Sequence, residues 1–129
     1  MRIRSTLASI VLMLPVFAVP LLTTFALGEE PDPLSFNRDV RPILSDNCFG
    51  CHGPAAKDVK AGLQLDSFES ATALLGKGKD RQALVPGDRK ASELWKRITS
   101  MDPDEKMPPP DSNHRLTPGQ IEVLGQWID

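Results

Sequence analysis

The run Cys48-Phe49-Gly50-Cys51-His52 contains the chain's only two cysteines and one of its two histidines. Residues three apart on a helix are surface neighbours, so both thiols reach one side of a short helical turn. The histidine that follows brings an imidazole next to the second thiol. Cys-x-x-Cys-His is the spacing needed for covalent attachment of a c-type haem. Each thiol would form a thioether to one vinyl group, and the imidazole would bind the iron as proximal ligand. A chain built around such a motif must surround a large apolar plate, which short helices can do.

Two other chemistries use similar residues. A structural zinc site needs four ligands, and the chain's cysteines and histidines are Cys48, Cys51, His52 and His114. Adjacent Cys51 and His52 are poorly disposed to share one tetrahedral ion. A thioredoxin-type dithiol expects a βαβ context, which the sequence lacks. Haem c, with its iron, is therefore the expected cofactor, and one motif implies one haem.

The N-terminus suits this cofactor. Arg2 and Arg4 form a short positive region, no charged residue occurs from Ser5 to Leu27, and Leu7 to Val19 is densely apolar. Ala26-Leu27-Gly28 supplies small residues ahead of Glu29. This pattern predicts a secretory signal peptide over residues 1–28 and a periplasmic or other extracytoplasmic destination. The rival reading is an uncleaved anchor, the one case in which the chain would engage a membrane. Residues 29–35 read as an acidic, proline-bearing linker, and 36–129 as one domain.

Charge excludes one class of partner. The chain has 15 basic and 17 acidic side chains. Without Arg2 and Arg4 the balance becomes 13 against 17, a net of -4 over 101 residues. No basic footprint for nucleic acid is present. A domain of this size has a thin core, which a covalent cofactor would reinforce.

Helical signals dominate the domain. Ser35 is expected to cap a helix beginning near Phe36, with an apolar stripe at Phe36, Val40, Ile43 and Leu44, and Pro42 requiring a late start or a kink. Gly53-Pro54 ends the element carrying the motif. Leu63 and Leu65 fit a short extended piece with both side chains on one face. Ser67 is expected to cap a helix from Phe68 to about Leu75. Val85-Pro86-Gly87-Asp88 reads as a turn. A following helix would place Leu94, Trp95, Ile98 and Met101 on its apolar face. Thr117, Pro118 and Gln120 form a capping-box start for a last helix with Ile121, Leu124 and Ile128 inward. Strand signals are weak throughout, so the class is all-α.

Candidates for a second iron ligand are Met101, Met107 and His114. Met101 falls on the helix stripe and reads as core. His114, between Asn113 and Arg115, reads as solvated surface. Met107 lies in Lys106-Met107-Pro108-Pro109-Pro110, where prolines stiffen an extended loop able to hold a thioether. Met107 is the favoured residue. Trp95 and Trp127 read as core or haem-wall aromatics, and Lys77, Lys79 and Arg81 as a solvated basic loop.

Taken together, these residues resemble the planctomycete-type cytochrome c domain. The resemblance rests on Phe36…Val40-Arg41-Pro42-Ile43-Leu44…Cys48-x-x-Cys51-His52-Gly53, Gly62-Leu63-x-Leu65-Asp66 and Val85-Pro86-Gly87-Asp88. It continues through Ser92-x-Leu94, Met107-Pro108-Pro109, Leu116-Thr117-x-x-Gln120-Ile121 and Trp127-Ile128, so it covers residues 36–129. It implies a small class I-like helical fold around one covalent haem, with Cys48 and Cys51 as thioethers, His52 proximal and Met107 distal. The expected function is one-electron transfer by an exported carrier that is not itself an enzyme, with transient redox proteins as partners. Such domains usually open longer exported proteins, and this sequence ends at Asp129. The alternative expectation is therefore the N-terminal redox domain of a longer multidomain enzyme.

Overall fold

Pro42 interrupts the first apolar stripe, because it has no N–H to donate back along a helix. The computed structural model describes residues 32–129. The expected signal peptide or anchor over 1–28 lies outside them. Phe36–Val40 form a π-helical turn in which the Arg41 N–H reaches the Phe36 carbonyl. Helix α1, Arg41–Asn47, follows directly with Pro42 in its first turn. The wider turn absorbs the break that proline imposes. Ser35 does not cap through its hydroxyl. Instead its N–H donates to the Asp39 carboxylate at 2.7 Å. Val40, Ile43 and Leu44 face inward, as their spacing predicts, and Phe36 sits at the edge of the stripe.

Helix α2, Phe49–His52, is one turn set off from α1 by Cys48. Helix α3, Phe68–Thr72, starts where expected, with the Ser67 hydroxyl accepting from the Ser70 N–H at 3.2 Å. It stops three residues early. Leu74–Leu75 (β1) pair antiparallel with Arg81–Gln82 (β2), Leu74 opposite Gln82 and Leu75 opposite Arg81. This two-rung hairpin is the one sheet among the described residues, which fits the weak strand signals of the sequence. Its tip is reversed by Gly76 at φ +83° and Lys79 at φ +48°. Two rungs leave too short a pattern for alternation to be visible in sequence.

The Val85–Asp88 turn closes with the Asp88 N–H on the Val85 carbonyl at 3.0 Å, and Gly87 takes φ +79°. Helix α4 spans Glu93–Thr99 and α5 spans Pro118–Ile128. The α5 capping box is complete. The Thr117 hydroxyl accepts from Gln120 N–H at 3.3 Å, and the Gln120 amide oxygen accepts from Thr117 N–H at 2.9 Å.

The core joins Val40 and Leu44 to Leu94 and Ile98 of α4 and Leu124 and Ile128 of α5. Trp127 of α5 stacks obliquely on Phe36, ring centroids 5.6 Å apart, so the first and last helical segments meet. Met101 corrects an expectation. It is 92% exposed, because α4 ends at Thr99 and Ser100 turns extended, which takes Met101 off the helical stripe. No described helix is long and apolar enough to cross a membrane.

Candidate functional site

Cys48 sits at the junction of α1 and α2, where its N–H donates to the Leu44 carbonyl at 2.8 Å. Cys51 and His52 follow on the single turn of α2, and Gly53 ends it. A Cβ on Gly53 would fall 2.5 Å from the Phe49 Cβ and 2.7 Å from the Phe49 carbonyl oxygen. Glycine is required there by close approach. The chain then doubles back through Ala61 and Gly62, both at positive φ, and lays residues 63–65 beside the motif. The Leu65 N–H donates to the His52 carbonyl at 2.8 Å. His52 Nδ1 lies 3.3 Å from the Leu63 carbonyl oxygen. With its proton on Nδ1, the ring donates to Leu63 and keeps the Nε2 lone pair free for a metal.

The motif opens onto a cavity of about 640 Å³. That is within the range of cofactor pockets, roughly 300–1,000 Å³. Cys48, Cys51, His52 and Met107 all line it. Leu63, Leu65 and Leu75 contribute apolar wall from the segments after the motif, and Leu94 and Ile98 from α4. Pro108 and Pro109 extend the wall beyond Met107. An apolar cavity with two unbridged thiols, one tethered imidazole and one thioether fits a flat, covalently held macrocycle.

Met107 arrives on a loop unlike the extended one expected. Residues 101–113 fold through successive bends and turns, tied by Lys106 N–H to the Asp102 carbonyl at 2.9 Å and Ser112 N–H to the Pro109 carbonyl at 3.0 Å. The Met107–Pro108 peptide is cis. The Met107 N–H donates to the Arg97 carbonyl in α4 at 3.0 Å. The loop is thus hung from the end of the helix whose Leu94 and Ile98 form the cavity wall.

The rival chemistries fit poorly. Among the described residues, no group of three or more His, Cys, Asp and Glu side chains converges as a metal-holding cluster. Both cysteines are free, and burial, with the neighbouring Cys51 charge, pushes the Cys48 thiol up to about 11. A redox-active dithiol needs the opposite shift.

The family comparison decides between these readings. Residues 48–111, from the first cysteine to just past the proline run, match the family model described as planctomycete cytochrome C. Those residues are a planctomycete-type cytochrome c domain. Neither the curated proteins nor the solved structures contain a significant match to it. A cytochrome c domain of this type points to haem-based electron transfer and implies covalent haem c with its iron.

Several residues of this cytochrome escaped the sequence reading. Arg81, read as solvated loop, lines the cavity with Glu93 and Arg97. His114 is exposed, as expected, yet also stands at the cavity wall. Trp95 and Trp127 pack on the core and do not line the cavity. The Glu93–Arg97 spacing of four was the available signal for a side-chain pair on α4. Nothing local signalled that the pair faces a cavity.

Proposed function

We propose that this cytochrome is an exported monohaem electron carrier with histidine–methionine ligation. Cys48 and Cys51 are the attachment thiols, His52 the proximal ligand and Met107 the distal ligand. The observation that supports this reading is the convergence of all four side chains on one apolar cavity, although Met107 lies far from the others in sequence. Bound there, haem c supplies a one-electron iron couple, and a thioether ligand raises its potential.

The protein's own contributions follow from the geometry. The Leu63 carbonyl orients His52 and increases its basicity as a ligand. Leu63, Leu65, Leu75 and Leu94 would exclude water from a haem held in the cavity. With His52 and Met107 both holding the iron, no position would remain for a substrate, which suits electron transfer rather than catalysis. Redox encounters use small, short-lived interfaces, so transient partner proteins are expected.

The test uses protein matured through an export pathway. A pyridine haemochrome spectrum should show c-type bands for one haem per chain. The ferric protein should show the weak near-infrared band of sulfur-to-iron ligation, and Met107→Ala should abolish it. Absence of c-type bands would end the haem reading. A band that survives the substitution would remove Met107 as ligand.

A further inference from the structure

Arg97 closes α4 and ties the Met107 loop to it in two ways. Its backbone carbonyl accepts the Met107 N–H at 3.0 Å. Its guanidinium donates from Nε to Glu93 Oε1 at 3.0 Å, and Nη1 stands 3.0 Å from the Glu105 carboxylate. Glu105 is two residues before Met107. Glu93 also receives Arg81 Nη1 from β2 at 3.6 Å. The side chains of Glu93 and Arg97 are only 21% and 25% exposed. Arg81, Glu93, Arg97 and Met107 all line the same cavity.

An isolated surface ion pair contributes little. Here one planar fork holds two carboxylates, one fixed on a helix and one on a loop, and Glu93 pins the fork to the hairpin as well. The loop it grips has no regular secondary structure and carries Pro103 and Pro108–Pro110, which donate no backbone hydrogen bonds. Besides the Met107 N–H on the Arg97 carbonyl, side-chain ties are therefore what join the loop to α4. A methionine side chain is flexible. A ligand of that kind stays on a metal only if the chain around it is held to within about 0.5 Å.

We propose that Arg97 is a positioning residue for the distal ligand, its Glu93–Arg97–Glu105 bridge holding the Met107 sulfur in place. The proposal rests on the histidine–methionine reading above.

The test titrates imidazole into the ferric, haem-loaded chain and follows loss of the near-infrared sulfur-to-iron band. Arg97→Gln and Glu105→Gln should each let imidazole displace Met107 at about tenfold lower concentration, the scale of one charge-assisted hydrogen bond. Arg97→Lys should recover part of the loss. The double variant should be no worse than either single one, because both remove the same bridge. Hydrogen exchange at the Met107 amide should rise in parallel. Glu105→Gln, on an exposed side chain outside the helix, serves as the test if Arg97→Gln does not fold. Imidazole titrations unchanged from wild type in both variants would overturn the proposal, even if thermal stability fell. If wild type lacks the band, or Met107→Ala keeps it, the ligand assignment itself fails and the proposal falls with it.

Discussion

Two glycines of α5 should respond in opposite ways to the same substitution. At Gly125, a Cβ would lie 2.8 Å from Trp95 Cζ3 and 2.7 Å from Arg89 Nη1. At Gly119, nothing stands within 4 Å. Alanine gains up to about 1 kcal/mol over glycine in a helix, so Gly119→Ala should be neutral to mildly stabilising. At Gly125 the same gain meets an overpacking cost of about 1–3 kcal/mol. The Arg89 guanidinium ends a flexible chain and swings aside, but it then leaves its place 4.9 Å over the Trp95 ring. That forfeits a further 0.5–1 kcal/mol or so. The Trp95 ring packs against the core and must shift as a rigid body. Gly125→Ala should therefore be net destabilising by about 1–3 kcal/mol. For a domain of this size that lowers Tm by roughly 4–8 °C per kcal/mol. Urea and thermal unfolding of both haem-loaded variants measure the difference. If Gly125→Ala is as stable as Gly119→Ala, then Trp95 and Arg89 do not crowd α5, and the α4–α5 packing described above is wrong.

Thr117→Ala removes the hydroxyl half of the α5 capping box and should cost about 0.5–2 kcal/mol in urea unfolding, whereas Thr117→Ser should cost little. Ser92 is fully buried, and its Oγ accepts from the Val85 N–H at 2.9 Å while donating to the Asp88 carbonyl at 2.9 Å. Ser92→Ala strands the Val85 N–H, while the Asp88 carbonyl keeps the Ser92 N–H at 3.2 Å, and should cost about 1–3 kcal/mol; a loss under a few tenths would mean water replaces the hydroxyl. The Arg38 guanidinium, with the Ser35 N–H, holds the Asp39 carboxyl below its usual range. A depressed carboxylate stabilises the fold above its unfolded-state value and loses that contribution as acid protonates it. The stability of wild type should thus fall below about pH 4 more steeply than that of Asp39→Asn, and parallel acid limbs would contradict it.

Where a signal was local, the sequence carried it. The Thr117 box, the Ser67 cap, the Val85–Asp88 turn and the stop at Gly53 each depend on residues within four positions, and each is present. Apart from Ser35, whose N–H and not its hydroxyl makes the local bond, the errors occur where the chain's course beyond the local window decides the outcome. α3 ends at Thr72 because Leu74–Leu75 find partners at Arg81–Gln82, across a tip that no alternation marks. Met101 continued the helical spacing but fell outside once α4 ended at Thr99. Pro42 was recognised as an obstacle, while the π-helical turn that accommodates it has no sequence signature. The site divided in the same way. Cys48, Cys51 and His52 are contiguous and were legible as a unit. Met107, singled out by composition as a methionine among prolines, does line the same cavity, and its neighbours there, Arg81, Glu93 and Arg97, looked like ordinary surface charge.

That division bears on how the electron carrier is assembled. The motif's half of the site is set within α1, α2 and the strap over residues 63–65, and nearly all its ties are short-range. The Met107 half depends on α4, which is fixed in turn by α5 through Gly125, Trp95 and Arg89, and by the hairpin through Arg81 and Glu93. Perturbing α5 therefore reaches Met107 through α4 while leaving the Cys48–His52 turn largely untouched. On the proposed ligation, Gly125→Ala should loosen Met107 more than it perturbs the Cys48–His52 turn. The imidazole titration that tests Arg97 measures that difference directly.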